Sequence, residues 1–337
     1  MVKKEGKGIW PLRNILDLQP DVVVLAGDLI YNDETINKEE ICGTCGYFLN
    51  QFDAIECNNV EGCELRHSYS EYENLLQDTY FKKLVADTKV ALMWDDHEFW
   101  NDYDLGPKNV LYLEGKKHFV AAFSNVLSPP LETGEIYYTM EFGKFGEAFV
   151  LDPRSYRSSQ FMEDGEQKTM LGLLQRKHLF SWLTSCRKRW KFVVISATFS
   201  ETANNMRWSG EEYTDTWYKY RWEKNLIFDF ISSHGIRNVV FLTSDSHTLG
   251  LYTYKVGNVE MWEVAASPLF AGKGGEYPML GEDVLFLKTE IRSGFAVVDV
   301  EENELQVKMF EEIEGNQHAI VFEKIIYSFH MQDRQEL

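Results

Sequence analysis

Four short β-branched runs constrain this chain more than any other feature: Asp21 to Ala26 (DVVVLA), Val90 to Trp94 (VALMW), Phe192 to Ser196 (FVVIS) and Asn238 to Thr243 (NVVFLT). Each is continuously apolar and of strand length, the pattern of a strand covered on both faces. Amphipathic helical stretches precede three of them, at Tyr69 to Val85, Leu171 to Arg187 and Tyr220 to Ser233. The alternation runs the length of the chain without internal repeat, low-complexity tract or Pro/Ser-rich linker. It predicts one continuous layered α/β domain over residues 1–337. From Val259 the pattern changes to hairpins, SGFAVVDVEENELQVKMFEE alternating about the acidic turn Glu301 to Glu304, so mixed sheets are expected.

Three of the four runs end directly in carboxylate and imidazole groups. Gly27-Asp28-Leu29-Ile30-Tyr31 follows the first, Asp95-Asp96-His97-Glu98 with Asn101 follows the second, and Asp245-Ser246-His247 follows the fourth. In open α/β sheets ligands bind beyond the carboxyl ends of the strands, so these groups are expected to converge at one edge. Taken singly, an Asp after a strand is most often a cap or turn former. Three such clusters together carry more negative charge than one edge tolerates without a cation, at a cost of several kcal/mol. A metal centre is the simplest explanation. Oxygen and imidazole donors suit iron, zinc, manganese or calcium better than soft-ligand metals. Two ions about 3.5–4 Å apart would generate a hydroxide and clamp the oxygens of a displacement at phosphorus.

The block Leu151-Asp152-Pro153-Arg154-Ser155-Tyr156-Arg157 also follows an apolar run, EAFVL. Arg154 and Arg157 offer planar forks suited to phosphate oxygens, or else pair with surface carboxylates. Charge matters here, because the chain has 34 basic against 53 acidic side chains, a formal −19. That balance argues against a nucleic-acid-binding surface, while an anionic ester would still need local cations. No run of about 18 apolar residues occurs, so no transmembrane segment is expected. The opening MVKKEGKGIWPLRN lacks an apolar h-region, and so reads as a soluble product without an export signal. Cys42, Cys45, Cys57 and Cys63 cluster, while Cys186 stands apart. The cluster is open to two disulfides, a structural zinc knuckle or free thiols.

The blocks GDLIY, WDDHEFWND, LDPRSYR and TSDSH resemble the signatures of the PhoD-type alkaline phosphatases, a branch of the calcineurin-like metallophosphoesterases. Weaker agreement, in the same order, comes from TMLGLLQRKHLFSWL, DTWYKYRWEKNLIFDFI, EVAASPL and SGFAVVDV. The resemblance implies a four-layer α/β/β/α sandwich with mixed sheets and hydrolysis of phosphate mono- or diesters by a metal-bound hydroxide. It implies a polynuclear metal centre, iron with calcium, with zinc or manganese as alternatives. Carried over residue by residue, Asp28, Tyr31, Asp96, Asn101, Asp245 and His247 fall at metal-ligand positions. His97 falls at the position that assists the leaving group, Arg154 in the catalytic Asp-x-Arg block, and Arg157 is expected to bind substrate.

The departures are specific. The family's first strand, with its cysteine ligand, precedes the helix that leads into GDxIY; here Gly8 to Leu18 already reads as that helix, so the strand is expected to be missing. Ser244 stands where the family usually has Gly, and residues 32–72 read as an inserted, cysteine-containing segment. Together with Arg207 to Tyr218, that segment is expected to cover the site. The alternative to an enzyme is a catalytically impaired or truncated member acting as a binding module. The resemblance implies a secreted or cell-envelope parent protein, which two disulfides in the cysteine cluster and a reduced Cys186 would fit, while the missing leader points to a cytoplasmic one. Oligomeric state is not legible.

Overall fold

The computed structural model describes residues 9–31, 47–49, 55–57, 69–104, 106–107, 110–200, 202, 207–208, 211–212, 215–269, 281–313 and 316–328. Helix α1 (Trp10–Asp17) opens with Pro11 in its first turn, where the missing N–H costs nothing, and leads into β1 (Val22–Ala26). One short antiparallel ladder, β2 (Tyr47–Leu49) with β3 (Ile55–Cys57), lies in the inserted segment. Cys42, Cys45 and Cys63 fall outside the described residues, and the choice between disulfides and zinc falls there with them.

The helical stretch expected at Tyr69 to Val85 is two helices, α2 (Ser70–Gln77) and α3 (Thr79–Asp87). Asp78 breaks it. Its extended backbone ends α2, and its Oδ1 accepts the N–H groups of Tyr80 and Phe81 at 2.9 and 3.0 Å, an N-cap that starts α3. Its other oxygen accepts the N–H of Ile9 at 2.8 Å, tying the start of α1 to the same point. After β4 (Lys89–Met93) come α4 (Val110–Phe123), β5 (Tyr138–Phe142), β6 (Gly146–Val150), α5 (Leu173–Ser185) and β7 (Trp190–Val194). The small ladder β8 (Arg207–Trp208) with β9 (Glu211–Glu212) precedes a 3-10 turn, α6 (Arg221–Ser233) and β10 (Val239–Thr243). The chain closes with β11 (Leu249–Val256), β12 (Val259–Ala266), β13 (Val284–Lys288), β14 (Gly294–Val300), β15 (Glu304–Ile313) and β16 (Gln317–Tyr327).

The main sheet has seven strands in the order β13-β11-β12-β10-β7-β6-β5. Its centre, β12, β10, β7 and β6, is parallel, and its two flanks are antiparallel, which makes it mixed. The opposing layer comes in two pieces, the parallel pair β1-β4 and the antiparallel β14-β15-β16. Between the layers lies a core built from Met93, Phe192, Val194, Val240, Leu251, Val307 and Met309. Helices α5 and α6 cover the far side of the main sheet with Leu179, Ile227 and Ile231, and α2, α3 and α4 cover β1-β4 with Tyr72, Phe81 and Phe119. Three cores between four layers make the α/β/β/α sandwich, each buried Leu, Ile or Phe contributing about 1.5–3 kcal/mol.

One of the four runs departs from the expected burial. In β1 only Val23 is buried, whereas β4, β7 and β10 are buried almost throughout. Among the described residues β1 pairs with β4 alone. Its open side and β14 line a cavity of about 1010 Å³, reached by Val22, Val24 and Ala26 from one strand and Ala296, Val298 and Val300 from the other. Residues 1–8, on which the expectation of a missing first strand turns, lie outside the described residues.

Candidate metal centre

β1 and β4 run parallel in the register Ala26 to Met93, so the residues that follow them start side by side. Gly27 has φ +94°, and a Cβ there would stand 2.5 Å from Cβ of Asp95. Only glycine allows that approach. Asp28, Asp102, Asp245 and His247 all hold positive φ without being glycine, a concentration of strained backbone of the kind found at functional sites. From the main sheet, Ser244 donates its hydroxyl to the carbonyl of Ala26, drawing the end of β10 against the end of β1.

The three strand ends converge, but across two layers instead of at one edge of a single sheet, β1 and β4 from one and β10 from the other. One ligand atom each from Asp28, Asp95, Asp96 and Asp245 lies within 4.8 Å of the others, and Asp28, Asp96 and His97 form an overlapping group on the same criterion. Tyr31 donates to Asp28 Oδ2 at 3.4 Å, and its hydroxyl is 3.3 Å from Nε2 of His247. The His97 ring stands 4.1 Å from that of Tyr31, tilted by 32°. Asn101 is exposed in the turn that follows Glu98, beside Asp102, whose N–H is held by Asp96 at 2.6 Å.

Burial pushes the Asp28 carboxyl well above the usual range, with Asp96, Asp95 and Glu98 adding to the rise against the pull of His97. Asp245 rises for the same first reason and then through Asp95 and Asp96. Asp95 is raised to about 6 by burial, even with Arg154 beside it. Asp96 is the exception: burial would raise it, but Arg154 and then His97 outweigh this and hold it at about 2. Burial, followed by Asp28, keeps the Tyr31 phenol protonated. Asp28 Oδ1 and Asp95 Oδ2 are buried without a hydrogen-bond partner. Buried carboxylate oxygens without donors are unstable as such and suited to a cation.

The arginines lie differently from the expectation of forks facing a substrate. Arg154 is fully buried; its Nε donates to Asp95, and its Nη2 stands 3.5 Å from Asp96 and 2.7 Å from Asp215. Arg157 pairs with Asp215 through Nη1 and donates from Nε to the carbonyl of Pro153 at 3.1 Å. Its Nη2 keeps a donor without a partner. Asp215, together with Asp96 and Asp102, forms a further group of carboxylates within 4.8 Å. Sequence reasoning missed Asp215 and Asp102 as site residues. Asp215 opens the DTWYKYRW block, where an acid reads as a helix cap, and in the fold that cap is Thr216, which accepts the N–H of Tyr218.

Fold and site together define a four-layer α/β/β/α sandwich that gathers carboxylates at the ends of its inner strands. The family described as PhoD-like phosphatase matches residues 7–309, and the chain belongs to it. Alkaline phosphatase D of Bacillus subtilis (strain 168) is 25% identical over 213 residues, 56% of this chain and 36% of that protein. The match thus spans about a third of the length of its curated relative. The solved structure titled "Structure of PhoD" superposes with a TM-score of 0.70 at 18% identity, over 97% of this chain and 70% of that one. A purple acid phosphatase isolated from yellow lupin (Lupinus luteus) seeds gives 0.61 at 12% identity, over 98% and 50%. Both likenesses are of fold. No helix among the described residues is long and apolar enough to cross a membrane.

Proposed function

We propose that the chain hydrolyses phosphate mono- or diesters at the edge formed by Asp28, Asp95, Asp96, His97, Asp245 and His247. The observation that carries this reading is the set of four carboxylates whose ligand atoms crowd within 4.8 Å while oxygens of Asp28 and Asp95 lack any donor. Hard oxygen and imidazole donors of this kind suit iron, calcium, zinc or manganese. Asp28, Tyr31, Asp96, Asn101, Asp245 and His247 would hold the ions. Bound there, metals would supply a hydroxide nucleophile and neutralise charge at phosphorus.

The chain's own groups have separate tasks in this reading. His97, next to Tyr31 at the rim, would hold the proton for the departing oxygen. Arg154 would keep Asp95 and Asp96 ionised and correctly turned, acting through carboxylates instead of on the ester. Arg157, buried against Asp215, would hold that carboxylate in place beside Arg154 instead of binding the ester directly. The covering role expected of residues 32–72 and 207–218 falls largely outside the described residues.

Metal-loaded protein should turn over an aryl phosphate ester, and Asp28→Ala or His247→Ala should lose that turnover with the fold retained. No turnover on mono- or diesters from loaded wild type supports the binding-module reading instead. The cysteine cluster tests the export reading: intact mass with and without reductant should differ by about four units if two disulfides form. No shift, with zinc bound beyond the catalytic ions, favours a cytoplasmic protein.

A further inference from the structure

We infer that Glu98 is a positioning residue that fixes the spacing of the two carboxylate-bearing loops through backbone amides, without itself binding metal. The inference rests on the metal-centre reading above. Glu98 is fully buried. Its Oε1 accepts the N–H of Leu29 at 2.6 Å, and its Oε2 accepts those of Asp28 at 3.2 Å and Asp95 at 2.7 Å. One carboxylate thereby grips the loop after β1 and the loop after β4 at a single point.

The physical need is clear from the charges around it. Asp28 on one loop and Asp95 and Asp96 on the other bring carboxylate oxygens within 4.8 Å of one another, so like charges push the two loops apart at the place where their donors must meet. Inward-turned amides at Asp28, Leu29 and Asp95 would be left without acceptors if the loops parted, a cost that opposes the separation. Three of the roughly four lone-pair positions of the Glu98 carboxylate are occupied by these amides. Among the described residues, Glu98 is also absent from every group of acids whose ligand atoms cluster. Both observations separate it from Asp28 and Asp96.

Glu98→Gln tests the role, because it preserves shape while removing an acceptor. All three partners are N–H donors, so the amide must turn its NH2 against at least one of them. A residue that only fills space would tolerate the change. Mn²⁺ alone is titrated calorimetrically into metal-stripped wild type and E98Q, with circular dichroism as the check on folding. The expected result is an unchanged spectrum, Mn²⁺ affinity lowered about 10–100-fold, and kcat recovered at excess Mn²⁺. Wild-type uptake with E98Q binding within twofold of it overturns this inference alone. A wild type that takes up no Mn²⁺ overturns the metal reading and this inference with it. Should E98Q fail to fold, amide exchange in metal-free wild type decides: protection of Asp28, Leu29 and Asp95 supports the clamp, and rapid exchange of all three overturns it.

Discussion

Arg154 holds its Nη2 2.7 Å from Oδ2 of Asp215, inside the protein and out of reach of solvent. Arg157 meets the other oxygen of the same carboxylate. Asp215 thus joins the segment leading into α6 to both arginines of the LDPRSYR block, and through Arg154 to Asp95 and Asp96. Asp215→Asn keeps the shape and removes the charge, leaving two buried guanidiniums short of a partner. Breaking such a network should cost about 3–5 kcal/mol of stability. Urea denaturation measures this; a loss under about 1 kcal/mol would mean that the arginines are balanced by Asp95 and Asp96 alone.

Ser244 offers a smaller and more local test. Its hydroxyl donates to Ala26 and its N–H donates to Ser196 at 2.9 Å, so one residue links the ends of β10, β7 and β1. Glycine, the residue the family pattern leads one to expect here, cannot make the first bond. Ser244→Gly should lower stability by about 1–2 kcal/mol, from the lost hydrogen bond and the added backbone freedom. Ser244→Ala separates the two effects in a thermal melt, since it removes only the bond.

What the sequence made legible follows from periodicity and position. β7 and β10 read clearly because both faces are buried, and Asp28, Asp96, His97 and Asp245 come together because each follows a strand end, β1 and β4 in one layer and β10 in the layer facing it. β1 carries the same apolar pattern but only one of its residues is buried, since composition does not register whether a neighbouring strand is present. The break at Asp78 was missed because the helical period continues through it, and its capping signal is local to one side chain. The inward turn of Arg154 and Arg157 depends on Asp215, distant in sequence and brought close only by the fold.

The open side of β1 has a dynamic consequence. β10 is paired on both sides, by β7 and β12, whereas β1 is paired only by β4 among the described residues. Amides of β1 that point away from β4 should therefore exchange much faster than those of β10 in native-state hydrogen exchange. Equal protection of the two strands would reveal a partner for β1 beyond those described.

His318 sets a pH dependence remote from the metal site. Its ring stacks on Trp10 with centroids 5.3 Å apart, and burial lowers its pKa to about 4. The hydrogen bonds agree: Asn14 donates to Nδ1 at 3.0 Å, while Ser293, whose own proton goes to Leu269, receives the Nε2 proton. A second proton would replace the acceptor at Nδ1 by a donor facing a donor. Because the folded value lies below the unfolded value of about 6.5, the unfolded state binds more protons between the two. The contribution of neutral His318 is present above about pH 6.5 and is lost as pH falls toward 4. A His318→Gln variant should show a shallower decline of Tm between those limits than wild type; parallel curves would assign the acid sensitivity elsewhere.

Gly27 provides the sharpest test of loop contact. At φ +94° any side chain is strained, and its Cβ would stand 2.5 Å from Cβ of Asp95 and 3.2 Å from the Asp95 nitrogen. Strain and collision can be separated, because Gly134 has φ +86° with nothing within 4 Å of where its Cβ would go. Gly134→Ala should therefore cost only the backbone term, about 1–2 kcal/mol. Gly27→Ala carries that cost and must also push Asp95 away from Asp28, parting carboxylates that share one group of ligand atoms. It should destabilise by at least about 2 kcal/mol more than the Gly134 variant, as overpacking does elsewhere, and weaken metal uptake, which Gly134→Ala should leave unchanged. Equal losses from the two variants would mean that the loops can separate freely, and that their close approach does not determine how the site binds metal.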